Sequence, residues 1–283
     1  MEVDQISLST TPVFISKSDK VVSQGTGFFY LNEHTDLDLT ILYLVTNYHV
    51  LTGSRPLEDK PPHGDSITCQ FHRSEEVPGD IKTVHIPLFT RRGKPIWLTS
   101  SSCPEADLAV IPLINSWYKG CDIKALSPDW EKGDVKVRPT TNVTLVGYPK
   151  GFYDKTNALP TWQTGSVASE PEIDFGGKPL FLIDVSAFPG MSGAPVFAIS
   201  SGTYQMENGS IKGESRKFLG IYASMGMIDK EKYLEKESQD KKLGFFEFES
   251  LKIGHVWKAS LIKQTLEGID FEQYNTEVLV HLM

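Results

Sequence analysis

The sequence has 283 residues, 28 Lys and Arg against 36 Asp and Glu, a formal net charge of −8, 40% hydrophobic and 23% charged residues. These are ordinary globular values for one large or two small domains, enough to bury a real core, and they argue against disorder. The acidic balance without a long basic block speaks against nucleic acid or anionic membrane as partners, and no apolar run approaches the roughly 20 residues that span a bilayer.

In chain order, the first fourteen residues lack the basic-then-apolar profile of a secretory signal, because Asp4, Gln5 and several Ser and Thr interrupt it. Short β-like runs then dominate: 27–31 (GFFYL), 41–45 (ILYLV), 108–111 (LAVI), 143–146 (VTLV), 180–183 (LFLI), 195–198 (PVFA) and 218–222 (FLGIY). Each is rich in β-branched and aromatic residues and bounded by Gly, Pro, Asn or Asp, which predicts an all-β sandwich or barrel. Residues 119–139 are poorest in strand signal and read as the crossing between two halves. Residues 33–40 and the charge-dense 229–242 read as surface insertions. A single helix is expected over 259–267, with Gly268 as its C-cap. The three cysteines, Cys69, Cys103 and Cys121, have no paired spacing and read as free thiols of a reducing, cytoplasmic compartment.

Three separated segments fit one chemistry. Thr46-Asn47-Tyr48-His49-Val50 closes an apolar strand with a histidine, Glu105-Ala106-Asp107-Leu108 opens one with an aspartate, and Phe188-Pro189-Gly190-Met191-Ser192-Gly193-Ala194-Pro195 sets a serine on a glycine-rich turn. A serine hydroxyl needs a base within hydrogen-bond reach to become a nucleophile. Histidine suits that role, because its ordinary pKa of ~6.5 lies near neutral pH, and a carboxylate fixes its tautomer. Gly190 frees the backbone to aim N–H groups, its own and that of Ser192, at an oxyanion. His63, Cys69 and His72 match no zinc spacing, and no metal or other cofactor is expected. The sequons at Asn142 and Asn208 mean little without a signal sequence.

In the order His, Asp, Ser the chain resembles chymotrypsin-like peptidases. The histidine segment, together with Gly25-Thr26-Gly27-Phe28, Val146-Gly147-Tyr148-Pro149 and Thr164-Gly165-Ser166-Val167, is similar to the HtrA-type branch, and the resemblance runs from about residue 25 to about 267. It implies two six-stranded β-barrels and a short C-terminal helix: residues 1–125 would carry His49 and Asp107, and residues 126–283 Ser192. Protein or peptide substrates would be cut between them. By position it implies Ser186 at the base of the S1 pocket, with Tyr222, Ala223, Ser224, Met225, Gly254 and His255 as walls. With no acid at that base, a small or medium apolar side chain is the first choice; His255 could instead favour an acidic one. Val50 stands where secreted trypsins carry a disulfide cysteine, and Met191 replaces the aspartate that anchors a freed N-terminus in zymogens. The oxyanion loop, 187–191, is therefore expected to await ordering by substrate or an activating partner. The 91 residues after Ser192 suffice for a second barrel, so no PDZ domain is expected.

Two other readings exist. The order Ser192, Asp229, His255 is that of α/β-hydrolases, but the fifth residue of Gly-x-Ser-x-Gly is Ala194, and a strand-like run beginning with Pro195 follows where a helix is required. The alternative of another class is a catalytically silent barrel used as an interaction module.

Overall fold

The computed structural model describes residues 3–35, 38–206, 209–229, 248–270, 273–274 and 278. The expected insertion at 229–242 lies, beyond Asp229, outside these residues. Six antiparallel strands build the first half: β1 (Thr10–Lys17), β2 (Lys20–His34), β3 (Leu39–Thr46), β4 (Ser66–His72), β5 (Ile81–Pro87) and β6 (Ala109–Pro112), in the order β5-β4-β1-β2-β3-β6. Six more, β7 (Asn142–Gly147), β8 (Thr161–Val167), β9 (Leu180–Asp184), β10 (Pro195–Met206), β11 (Gly209–Asp229) and β12 (Phe248–Lys258), close into a barrel, β10-β11-β12-β9-β8-β7.

The second half is thus the closed six-stranded barrel expected. The first is a six-stranded sheet whose outer strands are joined by irregular chain, so its closure into a second barrel is not established. Residues 88–98 cross that gap through isolated bridges, Phe89 with Pro95 and Leu98 with Val110.

The run Phe28-Phe29-Tyr30 is apolar without alternation because β2 is covered on both faces. Phe29 points into the core of the first half, where it stacks on Phe71 with ring centroids 4.7 Å apart. Phe28 and Tyr30 point the other way, with Tyr43 and Val45, into a second cluster. That cluster also takes Val146, Leu180, Phe197, Phe218 and Trp257 from the barrel. The halves therefore share an apolar joint. The C-terminal helix (Ser260–Glu267) seals it with Leu261, Ile262 and Leu266. Gly268 follows the helix as its C-cap at φ −83°, an ordinary right-handed value rather than a left-handed cap.

The histidine of β4 gives stability a pH dependence. His72 is 4% exposed, and its Nδ1 lies 2.9 Å from the Pro78 carbonyl. Burial holds its imidazole below the ordinary range, as it does for His34 and His63. The unfolded chain then takes up protons near pH 6.5 that the folded chain refuses, so stability falls as pH drops below that value and keeps falling toward the folded pKa. Urea midpoints are expected to fall between pH 7 and pH 5, and to fall less in His72→Gln; an equal fall in both proteins would clear His72.

Candidate active site

Strand pairing brings the first two segments together. Thr46, the last residue of β3, pairs with Ala109, the first of β6, so the chain leaving β3 and the chain entering β6 lie at the same end of an antiparallel pair. A short helix (Tyr48–Thr52) starts there and ends on Gly53, whose φ of +75° suits glycine. Its second residue is His49. Asp107 holds it at two points: Oδ2 lies 2.6 Å from the ring Nδ1, and Oδ1 accepts the His49 backbone N–H at 2.9 Å. Asn47, fully buried, donates through Nδ2 to the Asp107 carbonyl at 2.7 Å and so fixes the aspartate from behind.

The serine arrives from the barrel. Ser192 sits on the turn into β10, between Gly190 (φ +99°) and Gly193 (φ +89°). Its Oγ donates to the carbonyl of Ala223 at 3.0 Å rather than to His49. Ala223 lines a cavity of about 740 Å³ together with His49 and Asp107, so the acceptor of the serine hydroxyl faces the same space as the imidazole.

The turn is held by the chain itself. Pro189 O accepts the Lys150 N–H at 2.8 Å, and Met191 O accepts the Ala194 N–H at 2.9 Å. In a planar trans peptide the N–H points opposite to its C=O, so these two bonds set the directions of the Gly190 and Ser192 N–H groups. Among the described residues neither N–H is used in a hydrogen bond. Met191 is fully buried in the barrel core and anchors the turn by apolar packing.

Residues 25–204 match the trypsin-like peptidase domain. The chain belongs to that family. Solved structures similar to this peptidase domain include a serine endoprotease from Yersinia pestis (13% identity over 93% of this chain, TM-score 0.47). An active-form protease of Mycobacterium tuberculosis (16%, 94%, 0.43) and a thermostable serine protease from an extremophilic microorganism (12%, 93%, 0.46) are also similar. The domain spans 64% of the Yersinia chain, 82% of the mycobacterial one and 96% of the thermostable one. Among curated proteins the sequence finds no match.

The other expected site residues of the peptidase domain divide. Ser224 and His255 line the His49 cavity with Ala223, and His255 Nδ1 lies 3.4 Å from the Ser224 carbonyl. Tyr222 turns inward instead. It is 3% exposed in the barrel core with Val185, Ala187 and Val256, and Gly254 packs so closely on it that a Cβ there would lie 2.6 Å from Cε2 of its ring. Ser186 is exposed and lines a different cavity, with Trp162, Gln163 and Asp184, so the pocket base assigned to it is not at the His49 cavity.

Charge around the His49 cavity is mixed: Arg55, Glu58, Glu105 and Lys178 all line it, and Glu58 pairs with Lys60 at 2.9 Å. The cysteines offer no rival nucleophile, since burial pushes Cys69 up to about 12 and raises Cys103 and Cys121. His63, Cys69 and His72 do not form a metal cluster, and none is found among the described residues. Sequence reasoning missed the role of Asn47 in holding Asp107; the signal was present, as a polar residue between an apolar strand and the histidine.

Proposed function

We propose that this peptidase domain is a serine endopeptidase in which Ser192 attacks the scissile carbonyl. The observation that carries the reading is the two-point hold of Asp107 on His49. With the Nδ1 proton committed to Asp107, Nε2 keeps a lone pair for the serine proton. The Ser192 hydroxyl leaves the Ala223 carbonyl by rotation about χ1 and meets that lone pair, a tightening common when substrate binds. Its oxygen then bonds to the carbonyl carbon, and the negative charge passes to the carbonyl oxygen, held by the Gly190 and Ser192 N–H groups. His49 returns the proton to the departing amine. Water then repeats the sequence on the acyl-enzyme, with His49 again first base and then acid.

Hydrogen bonds from within the chain support an oxyanion turn that works without an activating partner, so restraint is placed on target choice among protein substrates. Three unpaired thiols support a reducing, cytoplasmic setting.

A fluorophosphonate probe tests the reading. Wild type is expected to be labelled covalently at Ser192, and His49→Ala to lose at least about 10³ in labelling rate. The contact of Ser192 with Ala223 in place of His49 favours the second reading, a silent interaction module, and absence of labelling in wild type would decide for it.

A further inference from the structure

Thr26 lies on β2, in the first half, and is fully buried. All of its polar groups are engaged across or along the joint. Its N–H donates to Ser192 O at 2.8 Å, and its hydroxyl donates to Gly190 O at 2.8 Å. The same hydroxyl oxygen accepts the Tyr148 N–H at 2.9 Å, and its carbonyl accepts the Thr46 hydroxyl at 2.7 Å. Thr46 stands three residues before His49. Two glycines make room: a Cβ on Gly147 would lie 2.7 Å from the Thr26 hydroxyl, and one on Gly193 2.0 Å from its carbonyl.

We propose that Thr26 is a positioning residue that aims the oxyanion turn and ties it to the strand carrying His49. The physical need comes from Gly190. A glycine at φ +99° has no Cβ to hold its flanking peptides, so each plane keeps its direction through its own hydrogen bonds; the peptide after Gly190 also donates its Met191 N–H to Phe188 O, a longer bond at 3.1 Å. Backbone N–H groups bind the carbonyls of Pro189 and Met191, and the remaining one, Gly190 O, is bound by the Thr26 side chain. The hydroxyl has one proton. Because Tyr148 N–H donates to its oxygen, that proton is directed to Gly190 O. One side chain in the first half thus sets a peptide in the second, within reach of the nucleophile.

The inference rests on the reading of Ser192 as nucleophile, and the experiment separates the two. Thr26→Val keeps the shape and removes the hydroxyl, whereas Thr26→Ser restores it. With a peptide ester, Thr26→Val is expected to lose at least about tenfold in kcat with KM within about threefold, and Thr26→Ser to recover to within about threefold of wild type. Equal kcat in wild type and Thr26→Val overturns the proposal. So does a loss that serine fails to restore, which marks a packing role. If the valine variant does not fold, Thr26→Ala takes its place and is read against serine by the same criterion. Wild type that cannot be labelled at Ser192 sinks the underlying reading, whereas a labelled wild type matched by Thr26→Val sinks this inference alone.

Discussion

Asp107→Asn is expected to lower kcat by about 10⁴ while leaving the unfolding midpoint within a few degrees of wild type. The two hydrogen bonds of this carboxylate explain the size of the loss. Oδ1 accepts the His49 backbone N–H, and that donor cannot turn. An asparagine must keep its oxygen there, which places its NH₂ group against the ring Nδ1 where Oδ2 now lies at 2.6 Å. An NH₂ donates, so Nδ1 must become the acceptor, and the ring proton moves to Nε2. Nε2–H cannot accept the serine proton. The geometry survives and the base is lost. Steady-state kinetics on a peptide ester, with thermal unfolding alongside, checks this. A loss under about tenfold would shift the role to another carboxylate, with Glu105 in the same cavity the first to test.

Gly193→Ala is expected to abolish both activity and labelling of Ser192, and to lower stability as well. At φ +89° an L-residue is strained by about 1–2 kcal/mol before any contact is counted. The contact is worse, since the new methyl would fall 2.0 Å from Thr26 O and 2.6 Å from the Thr46 hydroxyl. Neither can move freely: the Thr26 carbonyl belongs to β2, and the Thr46 hydroxyl is bonded to it. The turn must therefore lift away from the first half, taking the Ser192 hydroxyl with it. Urea unfolding and fluorophosphonate labelling together check this. Full labelling with unchanged stability would mean that the close approach of the two halves at Thr26 is not real.

The sequence disclosed the elements whose signal is local. The seven β-like runs fall within or against β2, β3, β6, β7, β9, β10 and β11, because each is an uninterrupted apolar stretch between turn residues. β5 was hidden, as IKTVHIP alternates and buries only two of its seven residues. How the outer strands of the first half are joined was hidden for a different reason: it rests on isolated bridges, such as Leu98 with Val110, which no single segment reveals. In the site, the meeting of His49 with Asp107 was legible because both stood in recognisable motifs. Ser186 and Tyr222 were assigned by position alone. Tyr222 lies in a barrel strand, where a register difference of one residue exchanges inside for outside, and Ser186 lies in irregular chain beyond β9. Thr26 was quoted as part of a motif without a role, since hydrogen bonds to residues more than 120 positions away leave no trace in its neighbours.

The apolar joint behind the site limits how the molecule can admit a substrate. Parting the halves like a jaw would bring Phe28, Tyr30, Tyr43 and Val45 into contact with water, each costing about 2 kcal/mol, before the barrel's own share is counted. A polypeptide must therefore reach the site from the open side of the His49 cavity, which Arg55, Pro56, Phe175 and Lys178 line. The body of the fold would remain a fixed anvil while the chain to be cut is laid on it.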